Sequence, residues 1–469
     1  MIMSKRKHTV KHKITAGRVI SIIIITVLAV LALLSSSAAI IMHNMQAKMD
    51  ANKIEYVPQT ARNKKTNDNN REQSPVDVNA GKPLDVLIIG QDTRGGDEKN
   101  AEIGGSDEAD RDNHQSDTTI IMHVSADRSR VSMVSLPRDS IINAPSCNTG
   151  SKIIPSRNAV MLNSVFPNAY NTSDDAGVAA SCLVNTVNSL TGLDIQQFVL
   201  VDFAGMSDMI DALGGVDVCI PQDLQDNYTG LDLKRGMRHL NGVTATQYAR
   251  VRHGLNTDGS DITRTTRQQH LLKALFDKLK SSSTLSNPAK LYNLANAALD
   301  NVSMSAGLAN IGTLAGFAYS LRGISMNSIE TMTVPTEPYV YDANRVQWSD
   351  SAQDIWNALQ ADRSIMPQNT NKGGSDAVSS GTGTGNQNAQ ENPSESDSND
   401  SNTASNDNTV NDDKVNAGTG LITEPDGRLI DPATGGIVNP DSGMITDADT
   451  GSIIGFADKY AEYAFCKKE

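Results

Sequence analysis

Between Val19 and Met42 the chain carries no charged residue, and the run is mostly Ile, Leu, Val and Ala. Those 24 residues, rising about 1.5 Å each as a helix, exceed the roughly 30 Å hydrocarbon core of a bilayer. Lys5, Arg6, Lys7, Lys11, Lys13 and Arg18 precede the run, and positive charge marks the cytoplasmic side of a span. The expected layout is a cytoplasmic head over 1–18, one transmembrane helix over 19–42, and all later residues outside the cell membrane. A cleaved signal peptide, with the SSSAA stretch as its cleavage region, normally has a shorter apolar core of about 7–15 residues. The uncleaved anchor is therefore preferred. Residues 43–82 are polar with few large apolar side chains, which reads as an extracellular stalk.

The net charge is −13. An acidic chain is poorly suited to nucleic acid, which needs a basic face, and it makes any local arginine cluster informative. Four cysteines occur, Cys147, Cys182, Cys219 and Cys466, with no CxxC spacing, so zinc-ribbon and thioredoxin readings are weak. Outside the cell disulfides are permitted. Cys147–Cys182 is the preferred pair because both flank one loop-rich segment; free buried cysteines are the alternative.

Apolar β-rich runs occupy Asp85–Gly90, Asp117–Ser125, Arg130–Pro137, Gln197–Asp202 and Val216–Pro221. Helical spacing runs through Val178, Cys182, Leu183, Val187 and Leu190 to Gly192, and Phe203–Leu213 reads as a helix stopped by Gly214–Gly215. Leu271, Leu272, Leu275, Phe276 and Leu279 form one helix face; 288–301, 307–321 and Ala352–Gln360 also read as helices, and Glu330–Val334 as a strand. Mixed strands and helices over 83–363 predict an α/β sandwich. Residues 364–418 collapse into Ser, Asn, Gly and Asp, a disordered linker by composition. The tail, 419–469, holds four eight-residue repeats from Leu421 to Ser452, with glycine at Gly427, Gly435, Gly443 and Gly451. They read as serial strand–turn units, and a passive surface segment is favoured over a wall-binding role. EF-hand spacing is absent.

The stretch RVRHGLNTDGSDITRTTRQQ, Arg250–Gln269, concentrates arginine in this acidic protein. Asp261 reads as the N-cap of a helix running to about Lys280. Arg264 at i+3 and Gln268 at i+7 share its face, with Arg267 beside them. Arg250 and Arg252 point the same way if their segment is extended. Guanidinium forks and a helix N-terminus suit a multiply charged anion; the bland reading is a solvated charged face. GQDTR places Asp92 and Arg94 at a strand end, SDTT opens the next strand with Asp117, and LPRD closes the following one with Arg138. Two aspartates on neighbouring strands suit Mg2+ or Mn2+ held jointly with substrate phosphates; turn capping is the alternative.

GQDTR, SDTT, LPRD, the Val201–Pro221 block, and RVRH followed by DITRTTRQQ resemble the LytR–CpsA–Psr family over about residues 84–282, with a variable continuation to about 363. The resemblance implies a three-layer α/β/α sandwich with a mixed central sheet and an apolar lipid pocket. It implies a phosphotransferase that moves a glycopolymer from a polyprenyl-pyrophosphate carrier onto peptidoglycan through a phosphodiester. By motif position, Asp92 and Asp117 would bind the metal. Arg94, Arg138, Arg250, Arg252, Arg264, Gln268 and, more weakly, Arg267 would hold and polarise the pyrophosphate, with Arg138, Arg250 and Arg252 counted as catalytic together with Asp261. Asp261 would orient the arginines or act as base toward the incoming hydroxyl.

The acidic insert Gly95–Gln115 departs from the family pattern, and an idle surface loop is the favoured reading. A transcriptional attenuator finds no helix-turn-helix in the short head. A non-catalytic receptor for lipid-linked glycan or wall, and a simple polyprenyl pyrophosphatase, remain as rivals.

Overall fold

The computed structural model describes residues 36, 38–57, 59, 81–92, 103, 114–252, 254–255, 257, 259, 261–281, 287–325, 328–366 and 415–466. Its organising element is a seven-stranded sheet. In chain order we label β1 (Lys53–Ile54), β2 (Leu84–Asp92), β3 (Gln115–Val124), β4 (Val131–Leu136), β5 (Gln197–Asp202), β6 (Val216–Ile220), β7 (Gly236–Leu240), β8 (Val302–Ser305) and β9 (Ile329–Thr333). The sheet runs β1-β8-β5-β2-β3-β4-β9, while β6 and β7 form a separate hairpin. Parallel pairs (β2 with β5, β4 with β9) mix with antiparallel ones (β2 with β3, β3 with β4).

Strand alternation sorts the apolar side chains between two faces. Leu87, Ile89, Ile121 and Phe198 pack with residues of α1 (Val165–Ser173), α2 (Ala176–Thr191) and α8 (Ala352–Gln360). Val86, Ile120 and Met133 pack on the other face, toward α6 (Pro288–Asn301) and α7 (Ile311–Ser320). This is the expected three-layer α/β/α arrangement with a mixed sheet. Local chemistry sets the helix ends. Asp175 accepts from Gly177 and Val178 N–H at the start of α2, and Gly192 ends it at φ 69°. Asp202 caps α3 (Phe203–Ala212) through Gly205 N–H, and Asn241 caps α4 (Gly242–Arg250) through Thr244 N–H. The arginine-bearing helix, α5, spans Asp261–Lys280.

Two expectations change. The expected stalk does not simply lead away from the domain. Residues 38–51 are helical, Met49 is fully buried, Met45 packs against the same cluster, and Lys53–Ile54 pairs with β8 at the sheet edge. A few apolar anchors among polar neighbours were enough to dock the segment. The tail is also more than a passive segment. Its repeats form a five-stranded antiparallel meander of β10 (Ile422–Thr423), β11 (Leu429–Ile430), β12 (Ile437–Val438), β13 (Met444–Thr446) and β14 (Ile453–Phe456), followed by α9 (Asp458–Phe465). All four repeat glycines have positive φ, between 70° and 89°, which L side chains resist. The meander packs against α5, Lys273 meets Asp458 at 2.6 Å, and a Cys219–Cys466 disulfide ties the tail to β6. The expected Cys147–Cys182 bridge is present, with Cα atoms 5.6 Å apart.

No helix among the described residues is long and apolar enough to cross a membrane. The expected span over 19–42 lies largely outside the described residues, as do Arg94 and most of the 95–115 insert.

Candidate active site

Sheet direction gathers the motifs at one edge. The C-terminal ends of β2, β4 and β5 and the N-terminal end of β3 lie together, because β3 runs against β2 and β4 while β5 runs with β2. The N-terminus of α5 arrives at the same edge. A cavity of about 320 Å³ opens there, lined by Asp117, Arg138, Phe203, Asp226, Tyr228, Thr229, Arg250, Arg252, Arg264 and Gln268.

Asp117 is the hub. Arg138 Nη1 donates to both of its carboxylate oxygens, at 2.8 and 2.7 Å, and Arg264 Nη2 donates to its backbone carbonyl at 2.7 Å. Burial pushes the Asp117 carboxyl up, but Arg264 and Arg138 outweigh it and hold it below its ordinary value. Burial likewise opposes the charge on Arg138, and Asp117 and Asp261 together more than restore it.

Asp261 stands behind these arginines. It is the first residue of α5. Its Oδ2 accepts from Arg138 N–H at 2.9 Å, and its Oδ1 lies 2.6 Å from Arg264 Nη2. It is 6% exposed and is not among the residues lining the cavity. Of its two expected roles, these contacts fit orientation of the arginines.

Arg250 and Arg252 reach the cavity differently from expectation. Arg250 ends helix α4 rather than lying on a strand, and only Val251 turns extended, at φ −50° and ψ 126°. The Asn241 cap starts a helix that the sequence reading had left unassigned. Arg250 lies over the Phe203 ring, 4.7 Å from its centroid, and donates to the Ile103 carbonyl at 3.2 Å. Ile103, from the acidic insert, is 1% exposed, so the insert meets the site at this residue. Arg252 donates to Asp139 Oδ2 at 3.1 Å and to the Gly259 carbonyl at 3.0 Å.

Arg267 departs from the expected set. It faces away from the cavity, donates to the Val251 carbonyl and lines a small cavity beside Tyr248, His270 and Phe456. On α5 Arg267 lies about 60° round from Arg264 and about 100° from Gln268, on the far side of Arg264 from the stripe that Arg264 and Gln268 share. Gln268 lines the cavity, with Nε2 donating to the Ala249 carbonyl at 3.2 Å.

The expected metal pair is half placed. Asp92 pairs with Gln115 in the β2–β3 register, two residues from Asp117. Among the described residues Asp117 Oδ1 accepts from Arg138, and an ionised carboxylate oxygen has a second lone pair. That donor set suits a hard cation that takes its remaining ligands from substrate phosphates. Among the described residues no group of three or more His, Cys, Asp or Glu forms a protein-only metal site.

The sequence reading missed Phe203, Asp226, Tyr228 and Thr229 in the lining, and Asp139 with Arg345 behind it. Asp139 was adjacent to Arg138 in LPRD, and Phe203 stood inside the Val201–Pro221 block. The turn carrying Asp226–Thr229 offered no spacing signal.

The structure is thus a mixed α/β protein with an arginine-lined cavity at the edge of its sheet, chemically suited to an anion. The model of the LytR_cpsA_psr family matches residues 44–361, and the chain belongs to that family. Cell wall biosynthesis protein LcpA of Corynebacterium glutamicum is 29% identical over 264 residues, covering 54% of this chain and 49% of LcpA. The polyisoprenyl-teichoic acid–peptidoglycan teichoic acid transferase TagV of Bacillus subtilis is 30% identical over 227 residues, 47% of this chain and 51% of TagV. The chain thus spans about half the length of these curated relatives. The crystal structure of B. subtilis TagV aligns with a TM-score of 0.43 at 24% identity, over 60% of this chain and 97% of that one.

Proposed function

We propose that this chain is a membrane-anchored phosphotransferase that moves a glycopolymer from a polyprenyl-pyrophosphate carrier onto peptidoglycan through a phosphodiester bond. The observation that carries this reading is the convergence of Arg138, Arg250, Arg252 and Arg264 on one cavity. Fixed guanidinium groups are placed to bind a pyrophosphate and to stabilise negative charge as it moves onto the departing prenyl phosphate. Arg94, at the same strand end in sequence, belongs to this set. The names of TagV and LcpA support the wall-polymer class. Lys and Arg flanking the apolar 19–42 run support a single-pass anchor with the domain outside the cell, as does the pairing of all four cysteines.

In this reading the acceptor hydroxyl oxygen attacks the phosphorus next to the glycan, and the P–O bond to the prenyl phosphate breaks. Arg138 is held in place by Asp117 and Asp261, so it meets the phosphate with little reorganisation. Mg2+ or Mn2+, held by Asp117 with Asp92, would supply Lewis-acid charge stabilisation. An apolar pocket would take the prenyl tail.

The test uses the full chain in detergent with Mg2+, a polyprenyl-pyrophosphate-linked oligosaccharide and a peptidoglycan fragment. Mass spectrometry should find a phosphodiester-linked glycan–muropeptide, lost in Asp117→Ala and Arg252→Ala. Phosphate release without that product would replace the reading with a pyrophosphatase. Lipid binding without turnover, unaltered by either substitution, would replace it with a receptor.

A further inference from the structure

Helix α5 carries a second row of polar side chains that the site does not use. Arg264 and Gln268 line the arginine-rich cavity. Arg267 and His270, three positions apart, line a small cavity on another side of the helix. Tyr248 joins them from α4, and Ser442, Met444 and Phe456 come from the tail. The tail is fixed at this place by contacts of several kinds. The Phe456 ring lies 4.6 Å from that of His270, Gln222 Nε2 donates to the Asp441 carbonyl at 2.9 Å, and Cys466 is bonded to Cys219.

What this row holds is the end of α4. The last carbonyls of a helix have no partner within it. Two at this end are met by α5: Gln268 Nε2 donates to the Ala249 carbonyl at 3.2 Å, and Arg267 Nη2 donates to the Val251 carbonyl. Tyr248 Oη, 3.1 Å from His270 Nδ1, adds a third tie. Val251 is fully buried and stands between Arg250 and Arg252, which both line the arginine cavity. The Arg267 guanidinium therefore fixes the point from which both arginines leave the backbone, and a cation is favourable at a helix C-terminus. Arg267 is 6% exposed. Where water is scarce, a charge-assisted hydrogen bond holds more firmly than one that solvent contests. Met444 and Phe456 share the cavity of Arg267, so undocking the tail admits water to the Arg267–Val251 contact.

We propose that Arg267 is a positioning residue for Arg250 and Arg252, and that the docked tail is the clamp that keeps it in place. Arg267 acts from outside the reaction cavity, through the Val251 carbonyl. The repeat meander is then a working part of the site, and the proposal rests on the transferase reading above.

The test uses the full chain in detergent, with two readouts: binding of an inert methylene-bridged prenyl bisphosphonate, and kcat for transfer. Cys466→Ser combined with Phe456→Ala releases the tail and leaves every arginine in the chain. It should weaken bisphosphonate binding and lower kcat by about tenfold each, because small displacements of positioned groups are costly. Arg267→Met should do the same with the tail docked, and Arg267→Lys, which keeps a charged donor, should recover most of the loss. Adding Arg267→Met to the tail-release variant should cost no more than Arg267→Met alone, because the two act in series. Hydrogen exchange of β2 and β3 amides at the wild-type rate shows that the sandwich of each variant is folded. Wild-type binding and turnover in the tail-release variant, with exchange across 421–456 quickened, would overturn the clamp. Additive losses would remove Arg267 as the link, and Arg267→Lys no better than Arg267→Met would reduce it to packing. The expected losses of bisphosphonate binding, without any phosphodiester product from the wild-type chain, would instead sink the transferase reading and leave the clamp standing.

Discussion

Arg138 Nη1 lies 2.8 and 2.7 Å from the two carboxylate oxygens of Asp117, and both residues line the cavity that gathers the arginines. The pair is buried, and removing Asp117 takes from Arg138 its shortest ion pair, leaving Asp261 and Asp139 at 3.4 and 3.9 Å. Asp117→Asn should therefore cost roughly 3–5 kcal/mol and abolish transfer. The folded-state pKa of Asp117 is lowered from 3.8. Its contribution to stability is thus fully present above that ordinary value and is lost as pH falls through the lowered one. Melting curves of wild type and Asp117→Asn should converge below about pH 4. A constant gap across that range would refute the linkage.

Cys466 is bonded to Cys219 across 247 positions of sequence. Ala461 is fully buried beside that bridge, and Lys273–Asp458 holds the adjoining edge. Cys466→Ser should loosen the meander without unfolding the sandwich, whose core lies elsewhere. Hydrogen exchange across residues 421–456 should quicken about tenfold or more, while amides of β2 and β3 stay protected. Equal exchange in both proteins would show that noncovalent packing alone holds the tail.

His270 sits between the domain and the tail. Its Nδ1 lies 3.1 Å from Tyr248 Oη, its ring centroid is 4.6 Å from that of Phe456, and Nε2 is 3.6 Å from Asp458 Oδ1. Burial lowers the pKa of His270 from 6.5, with Asp458 opposing and Lys273 assisting. A depressed base stays neutral in the folded state, while the unfolded chain takes up a proton below 6.5. Stability is thus full above 6.5 and falls as pH drops below it. Acidification from pH 7.5 to 5.5 should lower the melting temperature, and His270→Phe should flatten that dependence. Identical pH slopes in the two proteins would exclude His270 as the cause.

The fold was legible where periodicity was strong. The Val178–Leu190 spacing and the Gly192 stop gave α2, and the expected Ala352–Gln360 helix has the observed bounds. The arginine cluster was legible because Arg138, Arg250, Arg252 and Arg264 stand at the ends of elements, where sheet topology had to gather them. What escaped was set by tertiary contact. The Asp226–Thr229 turn reaches the cavity only through packing of the hairpin elements around it. Arg267 was misplaced because a cluster in sequence was taken for a cluster in space. The docking of the tail was invisible because Cys219 and Cys466 carry no spacing signal.

Asp139 provides the sharpest test of how the cavity is held. It is 6% exposed, and its carboxylate bridges Arg252 Nη2 at 3.1 Å and Arg345 Nη1 at 2.9 Å. Arg252 lines the cavity, but Arg345 does not, so in the proposed reaction Asp139 would act mainly through Arg252, its contact to Arg138 being longer at 3.9 Å. Asp139→Ala leaves that guanidinium held only by the Gly259 carbonyl among these contacts, and a displacement of about 1 Å from a productive position can cost on the order of a hundredfold in rate. Arg345→Ala leaves the Asp139–Arg252 contact in place and should cost less, because Arg345 is partly exposed and screened. Measuring kcat and KM for the lipid-linked donor in both variants checks the ordering. Asp139→Ala should lower kcat with a smaller change in KM, and Asp139→Glu should recover part of it. An Arg345→Ala loss as large as that of Asp139→Ala would place Arg345, rather than Arg252, at the end of this chain of contacts.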